Sequence, residues 1–203
     1  MMHSIDPDMQ SQKENHKLLI GGVIPRPVAF VTTLSEAGIM NGAPFSFFNV
    51  VSSKPPMISL SIQREKGVRK DTAQNIISKK EFVVHVTSEA YIEKINETAG
   101  RYPPEIDELS VAEMTSVNSV NIDTPGVAEA MIRFECVLEH VVTLGDKDTP
   151  SCDLVIGRIV HFHIADEIYD HGKINPHLLK PVSRLAGNDY AKLGELFTIE
   201  RPT

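Results

Sequence analysis

The chain has no tryptophan and only two cysteines, Cys136 and Cys152, among its 203 residues. Two thiols build neither a disulfide framework nor a zinc finger, and a pair on strand-like segments reads as buried, inert thiols. Basic excess is also missing. Lys and Arg number 20 against 27 Asp and Glu, a net charge of −7. Sequence-independent nucleic-acid binding needs the opposite balance. No run of 18 apolar residues occurs, and the polar start MMHSIDPDMQSQKENHK carries no apolar leader core. These features imply a soluble, cytoplasmic protein with no membrane span. Neither G-x-G-x-x-G nor G-x-x-x-x-G-K-[ST] is present, which disfavours Rossmann and P-loop nucleotide binding. A G-x-S-x-G nucleophile elbow is absent as well. Internal repeats and low-complexity tracts are lacking, and the apolar content of 41% supports a sizeable core.

What remains is strand-rich. Val28–Leu34 is β-branched and aromatic, Ser35–Gly38 is a turn, and strand character resumes over 39–51, interrupted by Gly42 and Pro44. Met57–Ile62 alternates apolar residues with serine at period two. Phe82–Val86, Met131–Thr143 and Leu154–Ile164 read as further strands, and Leu196–Glu200 as a last one. Asp71–Lys79 reads as a short helix, with Asp71 as N-cap and Gln74 in capping-box spacing. Ser88 is placed to cap a second helix over Glu89–Ala99. Residues 1–17 read as a flexible N-terminal arm, and 18–203 as one domain. Hairpin order without βαβ alternation favours an antiparallel barrel.

Three stretches carry chemistry. Asn41–Asn49 (NGAPFSFFN) interleaves Asn41, Ser46 and Asn49 with Phe45, Phe47 and Phe48. It reads either as a bulged strand with core aromatics or as a bent segment offering polar groups and flat apolar surface to a planar heteroaromatic ligand. Lys70-Asp71-Thr72 opens a helix, where free N–H groups and a partial positive charge suit phosphate, with Arg64 and Arg69 close by. Ordinary capping beside a solvated basic loop is the alternative. Arg26 lies between Pro25 and Pro27, stiffened for an anion or a ring carbonyl, or simply a surface arginine at a strand entry. His161 and His163 share a strand face, but two imidazoles without a third ligand point to no metal site.

Taken in order, these stretches resemble the flavin reductase-like family of FMN-binding split β-barrels. The flavoredoxin branch and the reductase components of two-component monooxygenases of the nitrilotriacetate type are the nearest match. The resemblance rests on IPRPVA at 24–29 with Thr32 and Thr33, NGAPFSFFN at 41–49, Pro55-Pro56, and Lys70-Asp71-Thr72 with Asn75. Pro181–Leu185 with Gly187 and Tyr190 completes it, while Ala186 stands where many relatives have a second glycine.

The resemblance implies a mainly β fold, a six-stranded antiparallel Greek-key split barrel with a few short flanking helices, usually homodimeric. It implies FMN as cofactor and NADH or NADPH as electron donor. Reduced flavin would go to a partner monooxygenase or another acceptor. A flavoredoxin-like electron carrier without efficient NAD(P)H turnover is the alternative. Carried over residue by residue, Thr32 and Thr33 with Asn41, Ala43, Ser46, Phe47, Phe48 and Asn49 line the flavin. Lys70, Asp71 and Thr72 hold the phosphate, with Arg26. Arg184 and Tyr190 approach the ring. No side chain is assigned a catalytic acid or base role, because the flavin carries the chemistry.

Overall fold

The computed structural model describes residues 1–202. A 3-10 turn at Pro7–Met9 precedes helix α1 (Gln12–Gly22). Strands β1 (Arg26–Pro27), β2 (Ala29–Leu34), β3 (Met40–Phe45), β4 (Phe48–Ser53) and β5 (Pro56–Gln63) follow. Helix α2 (Asp71–Lys79) leads to β6 (Glu81–Val86), then α3 (Ile92–Glu97) and α4 (Glu108–Val111). The short pair β7 (Ser116–Val117) and β8 (Gly126–Val127) precedes the long hairpin β9 (Ile132–Gly145) and β10 (Pro150–Ile164). Last come β11 (Tyr169–Asp170), β12 (Lys173–Ile174), α5 (Pro176–Leu179), β13 (Val182–Arg184) and β14 (Tyr190–Lys192). Among the described residues, no helix is long and apolar enough to cross a membrane.

The main sheet is antiparallel and runs β3-β2-β6-β9-β10-β5-β4. Its two edges, β3 and β4, are consecutive in the chain and joined through Ser46 and Phe47. One bent segment therefore supplies both edges, so the sheet must curl on itself. The expected six strands become seven because this segment breaks in two. Pro44 has no N–H to give a ladder, and the chain leaves one edge within two residues of it.

Alternating side chains of these strands fill the interior. Val31, Leu60, Phe82, Val84, Cys136 and Val155 meet there, wholly buried. Helix α2 turns Ala73 and Ile76 into the same cluster, the apolar face of an amphipathic helix. A second cluster forms outside β2 and β3, where Phe30 and Met40 meet Tyr91, Ile95 and Leu109. Gly42 permits this contact. A Cβ there would lie 2.6 Å from Leu109 Cδ1 and 2.7 Å from Phe30 Cζ. Cys136 and Cys152 are free and buried, as their strand positions implied.

Several local expectations are corrected. The reading of residues 1–17 as an arm overlooked a helix start: Ser11 accepts from Glu14 N (3.3 Å) and Glu14 Oε2 accepts from Ser11 N (2.8 Å). This capping box begins α1 at Gln12. The cap of α2 is Lys70, without a side-chain bond, and Asp71 is the first helical residue. The helix expected over Glu89–Ala99 is confined to α3, since Ser88 is held in extended backbone by a bridge to Pro181. Leu196–Glu200 forms no strand, because no neighbour offers it a ladder. Pairing falls instead to β13 and β14, with β1 on the other side of β13.

Candidate functional site

Two adjoining chambers open on the side of the barrel where β3, the start of α2 and the segment after β13 meet. The first, about 410 Å³, is lined by Arg26, Ser46, Phe47, Lys70, Arg184 and Tyr190 among others. The second, about 570 Å³, includes Asn41, Ala43, Arg69, Lys70, Asp71 and Thr72 in its lining. Pro44, Lys70 and Ala99 line both. The fold thus gathers ten of the fourteen residues expected at the site, from five separate stretches of chain.

Four do not reach the chambers. Thr32 is buried and donates to Pro125 O (2.7 Å), pointing to the opposite face of β2. Thr33 is buried and acts from behind, as described below. Phe48 packs against the barrel interior, and Asn49 is exposed on β4, its Oδ1 accepting from Val50 N (2.8 Å). The chain bend at Ser46–Phe47 separates the first half of the NGAPFSFFN stretch from the second.

Behind the second chamber, Asn41 is fixed by a closed network. Its Oδ1 accepts from Thr72 Oγ1 (2.7 Å) and Thr33 Oγ1 (3.1 Å). Thr33 Oγ1 in turn accepts from Asn75 Nδ2 (3.1 Å). Asn41 Nδ2 donates to Glu108 Oε2 (2.5 Å), which also accepts from Gly42 N (2.7 Å). The Thr72 hydroxyl proton is therefore committed to Asn41, and the donor Thr72 has left for an anion is its backbone N–H. Glu108 escaped the sequence reading, because nothing in a four-residue helix after a Pro-rich loop marks a carboxylate as site-facing. Burial raises its pKa to about 7. The Gly42 bond opposes that rise, the Asp71 charge adds to it, the Asn41 bond opposes it, and the Asp107 charge adds to it.

The basic residues divide sharply. Arg64 is closed onto Asp153, with Nε to Oδ2 at 2.8 Å and Nη2 to Oδ1 at 2.6 Å. Burial would raise the Asp153 pKa, but hydrogen bonds from Arg64 and Thr143 and the charges of Arg69 and Arg64 hold it below the usual carboxylate range. Arg26 is buried, and it donates to the carbonyls of Ile20 (2.7 Å), Val23 (2.6 Å) and Leu185 (2.7 Å). It ties the end of α1 to the segment after β13, and its Nε is buried without a partner. Burial, and then the charge of Arg184, lower its pKa.

Lys70 is different. It is exposed, its side chain makes no hydrogen bond or ion pair among the described residues, and its Nζ sits 6.0 Å from the Phe45 ring centroid. Beside it the α2 N-terminus has no side-chain cap, so its first N–H groups face the cleft unclaimed. At the far end of the first chamber, the Arg184 guanidinium lies 4.5 Å from the Tyr190 ring centroid, its Nη2 donating to Gly187 O. Among the described residues, no group of three or more His, Cys, Asp or Glu is placed to hold a metal ion.

The chain is similar to several known proteins. The model of the flavin reductase like domain matches residues 21–179. The uncharacterized protein YwrF of Bacillus subtilis is 52% identical, covering all of both chains. Nitrilotriacetate monooxygenase component B from Bacillus cereus is 54% identical, covering 98% of this chain and 99% of its own, with a TM-score of 0.97. The 2-nitrobenzoate 2-nitroreductase of Pseudomonas fluorescens is 28% identical over 99% and 97%, with a TM-score of 0.89. With its split barrel, its bent β3–β4 edge and a family match over residues 21–179, the chain belongs to the flavin reductase-like family.

Proposed function

We propose that the two chambers bind FMN and that the protein is an NAD(P)H:FMN oxidoreductase. Reduced flavin would then serve a partner monooxygenase or another acceptor. The observation that carries this reading is the junction at Lys70. A free ammonium, an uncapped helix N-terminus and the open rim of the second chamber converge where a phosphate would sit, between a ring-sized chamber and a polar one. The residues present fit the group. Phe47 and Tyr190 supply flat surface to a heteroaromatic ring, Asn41 and Ser46 supply polar contacts, and Lys70 with the α2 N–H groups neutralises the phosphate.

When bound, FMN supplies the hydride-accepting centre. The protein orients it and shapes its surroundings. Arg184, stacked on Tyr190 in the lining of the first chamber, would favour added electron density on a ring held there. Arg26 acts indirectly, as the tie that fixes α1 and the residues after β13 around the first chamber. The polarity of the Asn41 amide is set before any ligand arrives, because three donors and acceptors behind it are already satisfied. The protein would act as a homodimer, with Val50 and Val51, exposed on β4, among the apolar surface a second copy would cover.

Anaerobic mixing of FMN-loaded protein with NADH and, separately, NADPH tests the activity. Bleaching of the long-wavelength flavin absorbance by either donor is the expected result. Flavin that stays oxidised with both donors would rule the activity out and favour the carrier.

A further inference from the structure

A third cavity, of about 470 Å³, shares no lining residue with the two chambers. It lies against the start of the β9–β10 hairpin. Met131, Phe162, Ile164, Ala128 and Ala130 give it apolar walls, and Arg133 and His163 give it polar ones. The polar groups around Arg133 are nearly all spoken for. In register, Arg133 lies opposite His163 on β10 and opposite His85 on β6.

His85 is fully buried. Its Nε2 accepts from Val127 N (3.0 Å), which leaves Nδ1 to donate to Phe30 O (2.9 Å). Burial first, and then the charges of Arg133 and His163, push its pKa down to about 3 against that backbone bond, so it stays neutral. Glu135, on the same face two residues along β9, is also fully buried. It accepts from Val120 N (2.6 Å), Asn121 N (2.7 Å) and His163 Nε2 (2.6 Å). Its hydrogen bonds are thus made without Arg133. Among the described residues, the Arg133 side chain makes no hydrogen bond and no ion pair, though it is half-buried; burial lowers its pKa and the Glu135 charge raises it. A guanidinium taken partly out of water normally finds a carboxylate or carbonyl.

We infer that this cavity is a binding site for a small apolar carboxylate, whose anionic end pairs with Arg133 and whose hydrocarbon body lies against Ala128, Ala130 and Met131. The planar guanidinium fork matches a carboxylate in two parallel hydrogen bonds. The cavity falls within the range of small-molecule pockets, roughly 300–1,000 Å³. A guanidinium with no direct hydrogen-bond partner beside apolar walls selects against both neutral hydrocarbons and fully hydrated anions.

Benzoate is the probe, titrated calorimetrically into the full-length protein with and without FMN. One saturable site per chain is expected, indifferent to FMN. Arg133→Met should weaken it about tenfold or more while leaving the FMN dissociation constant unchanged. Ala128→Phe, which fills the cavity and keeps Arg133, should weaken it as well, and carries the test alone if Arg133→Met does not fold. Acetate, lacking the apolar body, and benzamide, lacking the charge, should each bind about tenfold more weakly than benzoate. Benzoate binding that survives in the variants, or that FMN displaces, overturns the inference. So does a changed oligomeric state in Arg133→Met, which would show a second copy filling the cavity. Because the site is read without flavin, a colourless protein that binds no FMN would sink the proposed function and leave this test intact.

Discussion

The two ends of the segment from Arg64 to Thr72 carry like charges and opposite fates. At one end Arg64 is bound by two hydrogen bonds to a wholly buried Asp153, with Thr143 Oγ1 as a third partner of that carboxylate and Arg69 reaching it at 3.4 Å. At the other end Lys70 is exposed beside an uncapped helix N-terminus and claims nothing. Along the sequence both looked like parts of one phosphate cluster. In space one is a fold-holding clamp and the other an open binding group. A basic cluster marks a site only through those members that the protein leaves unsatisfied.

Asp153→Ala tests the clamp and should have the largest effect. Removing one partner of a buried pair leaves Arg64 uncompensated and should destabilise by about 3 kcal/mol, read as a lowered urea midpoint. FMN affinity measured under native conditions should barely move. The clamp is also acid-sensitive. The Asp153 pKa is depressed in the folded state, so its contribution is full above the unfolded value and is lost as pH falls through the folded one. The variant should therefore lose less stability than the parent on acidification below about pH 4.

Lys70→Ala tests the open end. It should weaken FMN binding by roughly 1.5–3 kcal/mol, with stability changed by less than about 0.5 kcal/mol. Flavin fluorescence titration reads the first quantity and thermal unfolding the second. An unchanged FMN dissociation constant would remove Lys70 from the site. A large loss of stability would erase its distinction from Arg64.

Glu108 stands between these extremes, satisfied at Oε2 yet facing the chamber. Its folded pKa of about 7 lies above the unfolded value, so the unfolded chain ionises first as pH rises. Stability should fall from about pH 4.5 to about pH 7 on its account. Glu108→Gln should flatten that slope, seen as a melting temperature that changes less than the parent's across this window. The smallest effect on binding is expected from Thr32→Val. Loss of the bond to Pro125 should cost about 1 kcal/mol of stability and leave FMN affinity unchanged, because Thr32 faces away from the cleft.

Much of the barrel was legible along the chain. Period-two alternation at Met57–Ile62 and the β-branched runs at 82–86, 131–143 and 154–164 located strands, because burial of one sheet face imposes that pattern on the residues themselves. The α2 boundary was legible for a related reason, since helix starts are local chemistry. Its cap residue was misplaced by one position because Asp71 carries the commoner capping side chain, while only the backbone geometry makes Lys70 the cap. Glu108 and Arg133 left no comparable trace. Their significance lies in partners 66 residues or more away, or in the absence of any.

By itself the amino-acid sequence determined the strand-rich class, the position of α2 and the residue types available for an anion and a flat ring. These follow from local propensity and from periodicities that need no partner. Only the tertiary structure decided which of those residues are free to bind. It turned Thr32 away, spent Arg26 and Arg64 on carbonyls and a buried carboxylate, and left Lys70 and Arg133 unclaimed. Hydrogen-bond satisfaction is set by groups that meet across distant strands, and a linear chain cannot display that balance.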